Sequence, residues 1–293
     1  MVLTKYVVAT RPWSFTASLL PSILGNVLSY SEHGHLSAPV FCYVLACVLF
    51  VHCAGNLVNS YYDFVNGIDT LKSDDKTIAS KSLSARTIFY MFLVSYLLGS
   101  ASFYMLCQHS TANIHVLTGL FVSGLVGSFV YTGGVGMKYY ALGDVVIMAT
   151  FGPLAAYFAY VAQGGLPSSV KPLIYVLPLT LQVEAILHGN NTRDYATDKK
   201  CGILTLPILL GDISCSYFIY VFLLVFPYVV VSAFVVSESV FFVLPLFTCP
   251  LAYSLTRRFQ AGELATIPQE CAQLNLLFGG LYISAFILNL SFS

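Results

Sequence analysis

The chain has 293 residues, 57% of them hydrophobic and 9% charged, with thirteen basic residues against thirteen acidic ones and a mean hydropathy of +0.80. This composition excludes an ordinary soluble globular protein and describes a polytopic membrane protein. A net charge of zero also gives no sign of a nucleic-acid binder.

Apolar runs near the ~20 residues that cross a bilayer fall at 12–30, 39–62, 86–107, 114–132, 142–162, 172–189, 214–235, 238–256 and 272–291. Nine spans are therefore expected. Pro21, Pro153, Pro178, Pro227 and Pro245 lie inside runs, where neighbouring helices or water can satisfy the freed carbonyls. Twelve of the thirteen basic residues precede span one or follow spans two, four, six and eight; only Lys171 lies on the other side. That asymmetry places the amino terminus in the cytosol and the carboxyl terminus opposite. Met1 to Arg11 has no apolar core of its own, so span one is expected to act as the targeting signal. No linker separates soluble domains, and residues 1–293 read as one membrane domain. The eight cysteines show no CxxC pair and read as small buried hydrophobes.

Two segments carry chemistry, NLVNSYYDFVNGID at 56–69 and NNTRDYATDKK at 190–200. At 100° per residue from Asn56, Asn59 and Asp63 fall at about 300° and 340°, one narrow helical stripe. Asn190, Asp194 and Asp198 make a second stripe four spans later, a parallel repeat whose copies can face one cavity. Ionisable groups at membrane depth point to a site, although solvated helix ends would carry the same residues. Carboxylates suit Mg²⁺, which keeps waters and bridges to phosphates, so paired clusters suggest a diphosphate clamp. Asp63 could equally serve a proton or Na⁺ site in a transporter. Gly67 lets the chain turn so that Asp69 joins Asp63.

Arg193, Lys138 and Arg11 are candidate phosphate cations on the same face, or plain positive-inside anchors; Lys72, Lys76, Lys199 and Lys200 read as solvated. Gly133, Gly134 and Gly136 suggest a sharp turn. Tyr131, Tyr61 and Tyr62 lie near the clusters and could stabilise a cation with their π faces. Glu184 and His188, one helical turn apart, either line the cavity or form an internal hydrogen-bonded pair.

Asn-x-x-x-Asp followed by G-x-D, Tyr131 and Lys138 seven apart, and NNTRD-x-x-x-D followed by G-x-x-T-L (Gly202, Thr205, Leu206) together resemble the UbiA superfamily of intramembrane aromatic prenyltransferases. The likeness runs from Arg11-Pro12 to the ninth span. It implies an all-α fold of nine transmembrane helices around a central cavity. It also implies a Mg²⁺ cofactor held by Asp63, Asp69, Asp194 and Asp198, with Asp63, Asp194, Tyr131 and Lys138 acting in catalysis. Asn56, Asn59, Asn190, Asn191, Arg193, Lys138, Arg11 and Asp144 would bind substrate. The wording is most similar to an animal branch that makes menaquinone-4 by transferring geranylgeranyl to a naphthoquinol such as menadiol. That branch implies an endoplasmic reticulum or Golgi membrane, with a mitochondrial one as alternative, and a link to the sterol-synthesis reductase. A prenyl-lipid sensor or carrier, or an enzyme for 1,4-dihydroxy-2-naphthoate or 4-hydroxybenzoate, are the rival expectations. One departure stands out: many members carry Asp directly after the first motif's Asn, and this chain has Ser60.

Overall fold

In a bilayer every backbone polar group must find an internal partner, which leaves helices as the economical solution for long apolar runs. The computed structural model describes residues 2–68, 77, 78 and 80–292. Among these the regular structure is helical apart from one parallel bridge between Tyr140 and Leu204. In chain order the α-helices are α1 (Val2–Ala9), α2 (Thr16–His33), α3 (Ala38–Val65), α4 (Ala85–His109), α5 (Ile114–Val130), α6 (Gly143–Ala149), α7 (Ala155–Ala162), α8 (Lys171–Tyr175), α9 (Leu177–Arg193), α10 (Tyr195–Lys200), α11 (Leu206–Leu210), α12 (Ile213–Ser237), α13 (Cys249–Gln260) and α14 (Ile267–Phe292).

Among the described residues six helices are long and apolar enough to cross a membrane: Ala38–Val65, Ala85–His109, Gly143–Ala162, Ser214–Ser237, Val240–Gln260 and Ile267–Phe292. The other three of the nine expected spans correspond to α2, α5 and α9. Helix α5 is apolar but only 17 residues long. Helix α2 buries Ser18, Ser22, Asn26 and Ser29, and α9 buries Gln182, Glu184 and His188; their polarity is turned inward rather than toward lipid. In α2 the cost is met locally, because Ser22 Oγ donates to Ser18 O at 2.9 Å and Asn26 Nδ2 to Ser22 O at 2.8 Å.

The fifth and eighth spans fall where expected but carry irregular turns, a π-helical one at Thr150–Leu154 between α6 and α7 and a 3₁₀ stretch at Val240–Thr248. Two other expectations need correction. The second acidic stripe is broken: α9 ends at Arg193, Asp194 is its cap, and Asp198 sits on the separate helix α10. Of the eight cysteines only Cys47 and Cys271 are buried, while Cys42, Cys201, Cys215 and Cys249 are exposed, because apolar runs in a bilayer present half their residues outward.

Packing sets where the cavity opens. Ala54, Leu57, Val58, Ile88 and Phe92 bind α3 to α4 in one apolar cluster. A larger cluster joins α2, α7, α9, α12 and α14 through Leu24, Ala159, Leu179, Tyr220 and Phe278. Helices α2 and α7 cross so closely that a Cβ on Gly25 would lie 2.0 Å from Ala156 O, the small-residue contact expected between membrane helices. The space left between α2, α3, α5, α6, α7 and α9 is the candidate site.

Candidate functional site

A cavity of about 790 Å³ opens between these helices. Its lining includes the candidate catalytic, substrate and metal residues Arg11, Asn56, Asn59, Asp63, Tyr131, Lys138, Asp144, Asn190, Asn191, Arg193, Asp194 and Asp198, while Tyr61 and Tyr62 are not part of it. Asp69, Lys72 and Lys76 lie outside the described residues. Lys199 and Lys200 are exposed, and neither lines the cavity.

The first cluster is organised by one ammonium. Asn59 and Asp63 are one turn apart on α3, and Lys138 Nζ bridges them, 2.6 Å from Asn59 Oδ1 and 2.5 Å from Asp63 Oδ2. Thr132 Oγ1 also donates to Asn59 Oδ1, at 3.0 Å, and the Tyr139 hydroxyl donates to Asp63 Oδ1 at 2.8 Å. Lys138 reaches this position through a tight turn in which Gly134 and Gly136 take φ of 59° and 64°, values that a side chain would resist. Lys138 N donates to Tyr131 O at 2.9 Å, closing the turn. The glycines thus act as the expected sharp turn. Tyr139 and Thr132 were not singled out from the sequence; adjacency to Lys138 and Tyr131 was the only available signal.

The second cluster lies across the cavity. Arg193 Nε and Nη2 donate to Asp194 Oδ1 and Oδ2 at 2.9 and 2.7 Å, a bidentate pair. Asp198 follows on α10, its backbone N donating to Asp194 O at 2.9 Å. Burial, then the charge of Asp194, raises the Asp198 carboxyl from 3.8 to about 6; Asp63 adds to the rise while Lys138 and Arg193 oppose it. Charges of both clusters therefore act on Asp198. A backbone bridge locks their loops together, with Leu204 N donating to Tyr139 O at 3.0 Å and Ala141 N to Leu204 O at 2.6 Å.

Arg11, in a left-handed turn with φ 53°, sends Nη2 to Ser60 Oγ at 3.4 Å. Ser60, buried at 1% exposure, thus belongs to the packing of Arg11 against α3. Gly143 abuts the Tyr131 ring, where a Cβ would stand 3.3 Å from it, and Asp144 follows in the wall, buried. Glu184 and His188 do not line the cavity. Nor do they pair with each other: His188 Nε2 meets Ser216 O at 2.9 Å, and the Glu184 carboxyl faces the carboxyl of Asp144 in the cavity wall.

Among the described residues no three His, Cys, Asp or Glu side chains form a preformed metal cage. The donor chemistry is nevertheless that of a hard cation. Asp63, Asp194 and Asp198 offer carboxylate oxygens around one cavity, a set suited to an ion that keeps waters and shares phosphate oxygens with its ligand. Apolar side chains, among them Leu120, Phe121, Leu154, Phe158 and Ile186, line the rest.

An all-helical membrane protein with acidic and basic groups converging in an apolar-walled cavity defines an intramembrane enzyme for amphipathic substrates. The chain belongs to the UbiA prenyltransferase family, whose profile matches residues 18–279, and it is a prenyltransferase. It is 46% identical over 284 residues to UbiA prenyltransferase domain-containing protein 1 of Homo sapiens, covering 97% of this chain and 83% of the relative. The Drosophila melanogaster homolog is 41% identical over 288 residues, covering 97% and 80%. In fold it is similar to a UbiA homolog from Archaeoglobus fulgidus bound to GPP and Mg²⁺, with TM-score 0.64, 18% identity and coverage of 98% and 99%. The apo UbiA homolog from Aeropyrum pernix K1 gives TM-score 0.68 at 15% identity, covering 92% and 97%.

Proposed function

We propose that the chain transfers a polyprenyl group, geranylgeranyl foremost, from its diphosphate to a naphthoquinol such as menadiol, giving the hydroquinol form of menaquinone-4, which air oxidises to the quinone after release, with Mg²⁺ as cofactor. The observation that supports this is the convergence of Asp63, Asp194 and Asp198 with Lys138 and Arg193 at one end of an apolar-walled cavity. The GPP and Mg²⁺ of the Archaeoglobus fulgidus homolog are consistent with it.

In this reading Asp63, Asp194 and Asp198 hold the metal, with Asp69 a further ligand outside the described residues. Mg²⁺, when bound, supplies positive charge to the oxygens of the leaving diphosphate. Lys138 and Arg193 exchange their carboxylate partners for phosphate oxygens, so the ion pairs keep the site neutral until the substrate arrives. Asn59, Asn190 and Asn191 orient the polar head, and Arg11 contributes a second positive edge. Ionisation of the allylic C–O bond leaves a cation beside the Tyr131 ring, whose π face disperses its charge. The electron-rich ring carbon of the acceptor attacks, and its proton then passes to the departed diphosphate, which restores the aromatic ring. Asp144 lies in the wall behind Tyr131, on the acceptor's path. The apolar walls hold the prenyl tail and exclude water, which would otherwise capture the cation. The proposal includes one membrane domain over 1–293 with a cytosolic amino terminus and, on the resemblance alone, an endoplasmic reticulum or Golgi membrane and the sterol-synthesis reductase as a partner.

The test is product mass from purified protein in detergent, given Mg²⁺, prenyl diphosphates of several lengths and a panel of aromatic acceptors. Menaquinol-4 from geranylgeranyl diphosphate and menadiol, read as menaquinone-4 after air oxidation, is expected as the main product; preference for a carboxylated acceptor would overturn the assignment. A pH dependence follows as well. Asp198 must lose its proton to ligate a metal, and in the metal-free site it does so only near pH 6. Apparent Mg²⁺ affinity should therefore be level above about pH 7 and fall about tenfold per pH unit below about pH 6. Calorimetric Mg²⁺ titrations from pH 5 to pH 8 check this, and Asp198→Asn should remove most of the slope.

A further inference from the structure

The cavity has a second polar end that the diphosphate chemistry does not use. His52 lies eleven residues before Asp63 on α3, about 16 Å away along the helix axis, and Ser14, Ser18, His52 and Asn56 all line the cavity there. These side chains form a closed hydrogen-bond network. Ser14 Oγ donates to Arg11 O at 2.8 Å, so it accepts from Asn56 Nδ2 at 3.0 Å and from His52 Nε2 at 3.2 Å. His52 is thereby assigned as the Nε2–H tautomer, and its Nδ1 accepts from Ser18 Oγ at 2.8 Å, closer than the competing acceptor Phe15 O at 3.3 Å. The Asn56 amide is oriented independently, because Nδ2 also donates to Thr10 O at 2.8 Å, an atom that can only accept.

What this network leaves over decides its use. Its donors are consumed. Asn56 Oδ1 accepts no hydrogen bond among the described residues, and Ser18 Oγ, its one proton committed to His52, retains acceptor capacity. Apart from the Arg11 guanidinium, whose Nη2 is turned to Ser60 Oγ, the end therefore presents acceptors. An aromatic wall accompanies it: Phe151, also in the cavity lining, packs edge-on against the His52 ring with centroids 4.7 Å apart, and Phe15 backs the same ring at 5.3 Å. Phe151 stands on the π-helical turn Thr150–Leu154, a local irregularity that often marks functional sites.

We propose that this neutral end, Ser18 and Asn56 braced by His52 and Ser14, binds the acceptor's phenolic hydroxyl and so selects the reduced hydroquinol over the oxidised quinone. A hydroquinol offers an O–H to Asn56 Oδ1 or Ser18 Oγ, whereas a quinone carbonyl can donate to neither. The selection has a chemical use, since the reduced ring is the electron-rich nucleophile. This inference rests on the reading of the chain as a prenyltransferase acting on a hydroxylated aromatic ring. His52 is a positioning residue in it, acting through Ser18.

The test compares wild type, Ser18→Ala and His52→Gln with geranylgeranyl diphosphate and Mg²⁺. It measures the KM for menadiol, the KM for the diphosphate, and inhibition by menadione and by menadiol dimethyl ether, neither of which can donate a hydrogen bond. Wild type should bind menadiol at least about tenfold more tightly than either inhibitor. Each variant should raise the menadiol KM about three- to tenfold, the effect of one or two lost hydrogen bonds. The diphosphate KM should not change, and the preference for menadiol should narrow. An unchanged menadiol preference in both variants, or a diphosphate KM that rises in step, overturns the inference while leaving the prenyl transfer intact. Absence of transfer by wild type to any aromatic acceptor overturns the proposed function itself.

Discussion

Asp63→Asn is expected to lower prenyl transfer by at least about a hundredfold, in the range seen when a group aimed at developing charge is removed, while the protein stays folded. Asp63 is buried at 5% exposure and takes hydrogen bonds from Lys138 at 2.5 Å and Tyr139 at 2.8 Å. Asparagine keeps the shape and an oxygen for one of these donors but removes the charge that a metal ion requires. Alanine would also strand the Lys138 ammonium, which is only 18% exposed, and would mix loss of stability with loss of chemistry. Asp194→Asn should behave alike across the cavity, with its ion pair to Arg193 lost. The check is steady-state transfer beside circular dichroism and thermal unfolding in the same detergent. Wild-type rates in either variant would remove that carboxylate from the proposed clamp.

Gly25→Ala is expected to cost about 3 kcal/mol or more in stability, at the upper end of overpacking penalties. The added Cβ would stand 2.0 Å from Ala156 O and 3.0 Å from Ala159 Cβ. A backbone carbonyl cannot rotate away, so α2 and α7 must part, and with them the wall that carries Ser14 and Ser18. Gly280→Ala, where a Cβ meets nothing within 4 Å, is the control and should be neutral or slightly stabilising. Detergent-solubilised melting curves of the two variants measure the difference; equal melting points would show that the crossing is not close-packed.

The acidic end was legible in the sequence because its spacing is local. Asn59 and Asp63 share a turn of α3, and Lys138 stands out as a cation in a long apolar stretch. Their meeting in one cavity followed from the four-span offset of the two motifs. The break at Asp194 was not legible, since a 100° wheel assumes that the helix continues, and the chain past Arg193 turns onto α10 instead. The span count was obscured by α2 and α9, whose buried polar residues lower their apolarity without exposing them to lipid. His52 was the least legible residue. A lone histidine in an apolar run reads as core, and its serine partners lie 34 and 38 positions away. Glu184 and His188 show the reverse error: one-turn spacing suggested a shared role, but His188 turns to Ser216 O and Glu184 to Asp144, each finding its partner on another element.

The most direct test of the central claim is release of diphosphate from geranylgeranyl diphosphate by purified protein with menadiol, with and without Mg²⁺, in wild type and in the double variant Asp63→Asn/Asp194→Asn. Wild type with Mg²⁺ should release one diphosphate for each prenylated ring, and removal of either the metal or the two carboxylates should stop release. Tight binding of the diphosphate with no release, or release that survives loss of both carboxylates, would contradict the account.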